Sequence, residues 1–151
     1  MTIRKIVSGG QTGVDRAALD VARELQLEHG GWCPRGRLAE DGRIPDQYLL
    51  WETVTAEYAE RTELNVRDSD GTLVLTVGAP MGGTLLTIEC ATQWRKPCLV
   101  VDLTRSAEPG TVRLWLDESH IAVLNVAGPR HCQSPEGYKL ALQFLRECLV
   151  D

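Results

Sequence analysis

Excess positive charge is missing from this 151-residue sequence, whose formal net charge is −5. Bulk binding to nucleic acid or to an anionic membrane is thereby disfavoured, since both depend on basic surface. No apolar run approaches the roughly 18 residues needed to cross a bilayer. The N-terminus carries no secretory pattern, so a cytoplasmic protein with no membrane partner is expected. The five cysteines, Cys33, Cys90, Cys98, Cys132 and Cys148, are odd in number and form no C-x-x-C pair. Neither a disulfide framework nor a zinc site has its spacing here, and reduced, mostly buried thiols are expected. The dinucleotide fingerprint G-x-G-x-x-G, the phosphate-loop lysine, the G-x-S-x-G nucleophile elbow and the H-E-x-x-H zinc motif are also missing. No metal site and no catalytic constellation can therefore be read. Repeats, linkers and low-complexity tracts are absent. With 43% hydrophobic and 25% charged residues, the chain fits one globular domain spanning residues 1–151.

What is present begins with Ser8-Gly9-Gly10-Gln11-Thr12-Gly13-Val14-Asp15, set between an apolar run at 3–7 and a helical pattern over 15–27. This reads as the turn from a first strand into a first helix. Three glycines in five positions let the backbone turn sharply and approach a ligand closely. Backbone N–H groups backed by a helix N-terminus attract anions, and phosphate is the natural guest. A turn whose glycines serve only packing is the plainer alternative, but it has no use for Gln11, Thr12 and Asp15.

Further along, Gly30 and Gly31 are expected to close the first helix, and Trp32-Cys33 to form a short strand. A polar loop with Arg35, Arg37 and Arg43 follows to Pro45. Thr55 is expected to cap a helix running to about Arg67. Asp68 and Asp70 invite a metal hypothesis, though turn chemistry is the commoner use of such a pair. Residues 72–77 read as a buried strand, and Gly78–Thr84 as a second glycine-rich loop opening a helix capped by Thr84. A strand at 98–103, a short helix at 112–116 and a strand at 121–127 follow. The loop from Gly128 leads to a last helix at 135–149, with Leu140, Phe144 and Cys148 on one face. This alternation predicts an α/β fold, a parallel sheet covered by helices on both faces.

In such a sheet the strand C-termini share one edge, and ligands bind where the strand order reverses. The loops at Gly9–Gly13, Gly78–Thr84 and Gly128–Arg130 would meet there. With Arg16, Arg35 or Arg130 nearby, the pocket suits a phosphorylated small molecule. Asp15, Asn65 and Glu89 are candidates to bond the edge of a purine or pterin ring.

Ser8–Ala17, Gly31-Trp32-Cys33-Pro34, Ala39-Glu40-Asp41-Gly42, Arg61-Thr62 with Asn65-Val66, Ser69–Thr72, Gly82-Gly83-Thr84 and Asn125–Arg130 together resemble the molybdenum-cofactor carrier family. That family is similar to the Lonely Guy phosphoribohydrolases. The resemblance covers almost the whole chain and implies a three-layer Rossmann-like fold and a cytoplasmic homo-oligomer, a dimer or tetramer. It further implies that the cargo is the molybdenum cofactor, a molybdopterin carrying a phosphate, with a nucleotide as the alternative ligand. The expected binding residues are Gly9, Gly10, Gln11, Thr12, Gly13, Asp15, Arg16, Gly82, Gly83, Thr84 and Arg130. Two departures stand out. The family commonly continues Gly-Pro-Arg with Glu-Ser, where His131-Cys132 stands here. The phosphoribohydrolase motif P-G-G-x-G-T-x-x-E has Thr87 in the glutamate's place, the first acid being Glu89. A carrier that needs no general acid is favoured over the alternative, a nucleotide sensor or an N-glycosidase acting on nucleoside monophosphates.

Overall fold

The computed structural model describes residues 3–150. Its centre is a parallel sheet of β1 (Lys5–Val7), β2 (Glu28–Gly30), β7 (Gly71–Thr76), β8 (Cys98–Asp102) and β9 (Val123–Ala127), in the order β2-β1-β9-β7-β8. All four pairings are parallel. Every strand therefore ends at the same edge, which is where the three glycine-bearing loops emerge.

The helices form two outer layers. On one face α1 (Val14–Glu24), α4 (Pro109–Glu118) and α5 (Gly137–Leu149) pack on the sheet through Val14, Val21, Val112, Leu145 and Cys148, against Leu73, Leu75, Leu124 and Val126. On the other face, α2 (Tyr58–Arg67) and α3 (Gly83–Gln93) bury Val66, Cys90 and Ala91. The predicted α/β fold, three layers around a parallel sheet, is what forms. β7 is buried at all six positions because helices cover both its faces.

Several local expectations change. The first helix stops at Glu24, where Gln26 takes φ 59° and Leu27 N–H returns to the Ala22 carbonyl. The next residues become the edge strand β2, Glu-His-Gly, whose polar composition carries no strand signal. The Trp32-Cys33 strand exists as β3, but it lies outside the main sheet, paired in parallel with β6 (Trp51–Glu52). The polar loop contains a hairpin of β4 (Leu38–Ala39) and β5 (Gly42–Arg43). Thr55 caps no helix. Its N–H donates to Glu60 and its Oγ1 accepts from Glu57 N–H, one turn before α2 starts at Tyr58. Thr84 lies inside the first turn of α3, whose N-cap is Gly82. α4 is longer than expected because Pro109 opens it at a position that needs no N–H. On α5 the buried face is Ala141, Phe144, Leu145 and Cys148, and Leu140 is only half-buried. Cys33, Cys90 and Cys148 are buried free thiols, Cys98 is half-buried and Cys132 is exposed.

A smaller core of Leu19, Cys33, Ala39, Ile44 and Tyr48 fixes the 34–50 segment over α1. It also explains Gly10. With φ 74°, a Cβ there would stand 2.6 Å from Leu50 Cδ1 and 2.9 Å from Ile44 Cδ1. Gly13, at φ 83°, sits against the backbone of the loop after β9, where a Cβ would be 2.5 Å from the Pro129 carbonyl. The first loop and the last loop are thus packed backbone to backbone.

Candidate functional site

A cavity of about 130 Å³ opens at the shared strand edge. It is ring-sized, since a cavity of roughly 150 Å³ holds a benzene. β9 supplies its floor through Asn125, Val126 and Ala127. The first loop supplies Gly9 and Gln11, the first turn of α1 supplies Asp15, and α3 supplies Gly83, Thr84 and Thr87. The remaining wall is α2. Tyr58, Arg61, Thr62 and Asn65 recur at i, i+3, i+4 and i+7, so a single polar stripe of that helix faces the cavity. Arg130 and Gln133 stand at the end contributed by the last loop.

Of the eleven residues expected from the sequence, Gly9, Gln11, Asp15, Gly83, Thr84 and Arg130 line this cleft. Thr12, Gly13 and Arg16 face a separate, more open depression on the other side of the first loop, together with Glu40, His131 and Cys132. Gly10 and Gly82 line neither of these two. Arg16 donates to the Gly10 carbonyl at 3.0 Å and pairs with Asp41 at 3.2 Å, so its charge is used to hold the loop. The N–H groups of Gly10, Gln11, Thr12 and Val14 are likewise bonded within the protein, to Ser8 Oγ, Asp15 Oδ2, Gln11 Oε1 and the Pro129 carbonyl. Glu89 is exposed and lies outside both recesses, and so does Arg35. Asp68 and Asp70 are spent on other contacts rather than on their own turn: Asp68 accepts from Arg67 and the Trp32 indole, and Asp70 Oδ2 accepts from the N–H groups of Ala122 and Val123 at the start of β9.

Arg61 was not among the expected binding residues. Its Nη1 donates to the Gly9 carbonyl at 3.0 Å and lies 3.6 Å from Asp15 Oδ2, while the guanidinium sits 5.1 Å from the Tyr58 ring centroid. The signal available in the sequence was the polar stripe on a helix that should present an apolar face to the sheet. Asp15 is 7% exposed. Burial pushes its carboxyl above the usual carboxylate range, against the pull of Arg61 and of the backbone N–H of Gln11. Arg130 is 3.8 Å from Glu40. Glu40 also accepts from Thr12 Oγ1 and from Cys132 N–H, and its own N–H donates to Gln11. The β4–β5 hairpin is thereby clasped across the first and last loops, and His131-Cys132 takes part through its backbone, with His131 N–H donating to Thr12 Oγ1.

Residues 6–149 match the model of the circularly permutated YpsA SLOG family. The chain belongs to that family. A solved structure from Syntrophus aciditrophicus SB, named putative molybdenum carrier protein, is 49% identical over 99% of this chain and 96% of its own, with a TM-score of 0.95. No curated protein matches. The SLOG-family chain thus shares fold and nearly full length with a relative named for molybdenum carrying, in keeping with the resemblance its loops show. In this SLOG protein the cleft lies where the strand order reverses: β1 leads outward to β2 on one side and β7 to β8 on the other, with β9 between them.

Proposed function

We propose that this cleft holds a phosphorylated small molecule, and that the protein is a cytoplasmic carrier or store of the molybdenum cofactor rather than an enzyme. The observation that carries the reading is the convergence of Arg61, Arg130 and the N-terminal turn of α3 on one ring-sized cleft. Two guanidiniums offer fork-shaped donors to phosphate oxygens, and a helix N-terminus adds oriented N–H groups. Gly83 leaves the approach to that turn open, since a Cβ there would have nothing within 4 Å. The name of the 49% identical relative supports the cargo.

On this reading Gly9, Gln11, Asp15, Gly83, Thr84 and Arg130 touch the ligand, with Arg61 added. Gly10, Thr12, Gly13, Arg16 and Gly82 act by shaping the loops around it. Among the described residues no group of three His, Cys, Asp or Glu side chains is placed to hold a metal ion. On this reading the cargo is held by its pterin and phosphate. Homo-oligomerisation belongs to the same proposal, supported by the exposed apolar residues Leu85 of α3, Trp94 at its C-cap and Val100 of edge strand β8.

The buried Asp15 carboxylate favours one second reading, cleavage of a nucleotide's N-glycosidic bond with Asp15 stabilising the ribosyl cation. Mass spectrometry of small molecules released from the purified protein separates the two. A molybdopterin-derived species is expected. Nucleoside monophosphates as the released species, with steady release of free base on incubation, would favour the second reading.

A further inference from the structure

Most of the polar lining of the cleft is already spent on the protein. Asn65 accepts from Trp32 N–H at 2.7 Å and donates to the Trp32 carbonyl at 3.0 Å, using both ends of its amide. Asn125 Nδ2 donates to Thr72 Oγ1 at 3.2 Å, and Thr87 Oγ1 donates to the Gly83 carbonyl at 3.0 Å. Gln11 is different. It is 4% exposed, and its Oε1 accepts from the N–H groups of Thr12 and Glu40 at 3.1 and 2.8 Å. Those two bonds fix which way the amide lies and leave Nε2 buried with no partner. A buried donor without an acceptor is costly, and few are found in native proteins. Beside it, Asp15 has spare acceptor capacity: it takes the N–H of Gln11 at 3.3 Å with the Gly9 backbone also bearing on it, and its nearest guanidinium nitrogen is 3.6 Å away, which leaves lone pairs of the two carboxylate oxygens over. That backbone bond ties the two residues into one turn, so their relative position is fixed.

We propose that Gln11 and Asp15 read the ring edge of the bound molecule, Gln11 Nε2 donating to a ring acceptor and the Asp15 carboxylate accepting from an adjacent N–H. The inference rests on the reading of the cleft given above and deepens it. It selects heterocycles that carry an acceptor and an N–H side by side, the edge shared by pterins, guanine and adenine. It rejects rings that lack the N–H.

The test is titration calorimetry with AMP, GMP, purine riboside 5′-monophosphate and ribose 5-phosphate. Purine riboside keeps the ring acceptor but has no N–H donor on that edge, and ribose 5-phosphate has no ring. Wild-type protein should bind the better of AMP and GMP at least about tenfold tighter than either analogue. Gln11→Glu keeps oxygen facing the two backbone N–H groups but replaces the donor with an acceptor, and Asp15→Asn keeps the shape of the carboxylate. In each variant the preference should fall to within about twofold, whichever way the altered charge moves the absolute affinities. If one variant does not fold, the other carries the test. Equal binding of all four probes to the wild type, or a preference that survives both substitutions, overturns the ring-edge proposal and leaves a phosphate-binding cleft standing. Binding of none of the four overturns both.

Discussion

At Asp15 burial outweighs the nearby arginine, and the sign of its effect on stability follows. A carboxyl whose folded pKa lies above its unfolded value of 3.8 binds protons more tightly when folded. It costs nothing below that value and destabilises the fold increasingly as pH rises through the folded pKa. Asp15→Asn is therefore expected to raise the melting temperature at pH 7, the gain shrinking as pH falls towards 4 in thermal melts. A gain independent of pH would mean that charge is not the cause. Two glycines give a second contrast. Gly10→Val puts a branched side chain at φ 74° against Ile44 and Leu50, and should cost about 1–3 kcal/mol or more. Gly83→Val meets open space, so denaturant melts should show it within about 0.5 kcal/mol of wild type. Its side chain would nevertheless occupy the approach to α3, and its binding of AMP or molybdopterin should be lost.

On the proposed reading, the β4–β5 hairpin competes with the ligand for Arg130. Glu40 at its tip faces Arg130 at 3.8 Å, a separation too long for a direct hydrogen bond and short enough to offset the cation. Glu40→Gln should tighten phosphate-ester binding severalfold by leaving Arg130 to the anion, measured by calorimetry at low salt. Weaker binding would mean that the clasp organises the site more than it masks the charge. Elements also differ in what their sequences disclose. Val74 and Leu75 sit in a continuous apolar run bounded by Asp70-Gly71 and Gly78, so β7 is plain to read, and β8 and β9 are alike. Glu28-His29-Gly30 has neither alternation nor branched residues; it is a strand because β1 offers an open edge. The three glycine loops could be placed on one rim from strand order alone. That Thr12 and Arg16 face away from the cleft could not, because it depends on the pairing of Arg16 with Asp41, 25 residues on. Arg61 lies further still from Gly9, 52 residues away, and only the packing of α2 across the sheet edge joins them.

For the molecule as a whole, the single domain expected from the sequence predicts one cooperative unfolding transition, with coincident curves from circular dichroism and tryptophan fluorescence. Two separated transitions would assign the 34–50 segment its own stability. A net charge of −5 repels an anionic ligand at long range, so any affinity for phosphate must be local. Arg61 is largely sheltered from solvent, which weakens salt screening without removing it. The most direct test of the account is calorimetric titration of wild-type protein with molybdopterin, or AMP in its place, against the dephosphorylated form, repeated with Arg61→Gln and Arg130→Gln. The phosphorylated form should bind at least about tenfold tighter, and either substitution should erase most of that difference. Equal affinity for the two forms, unchanged by both substitutions, would contradict the phosphate site.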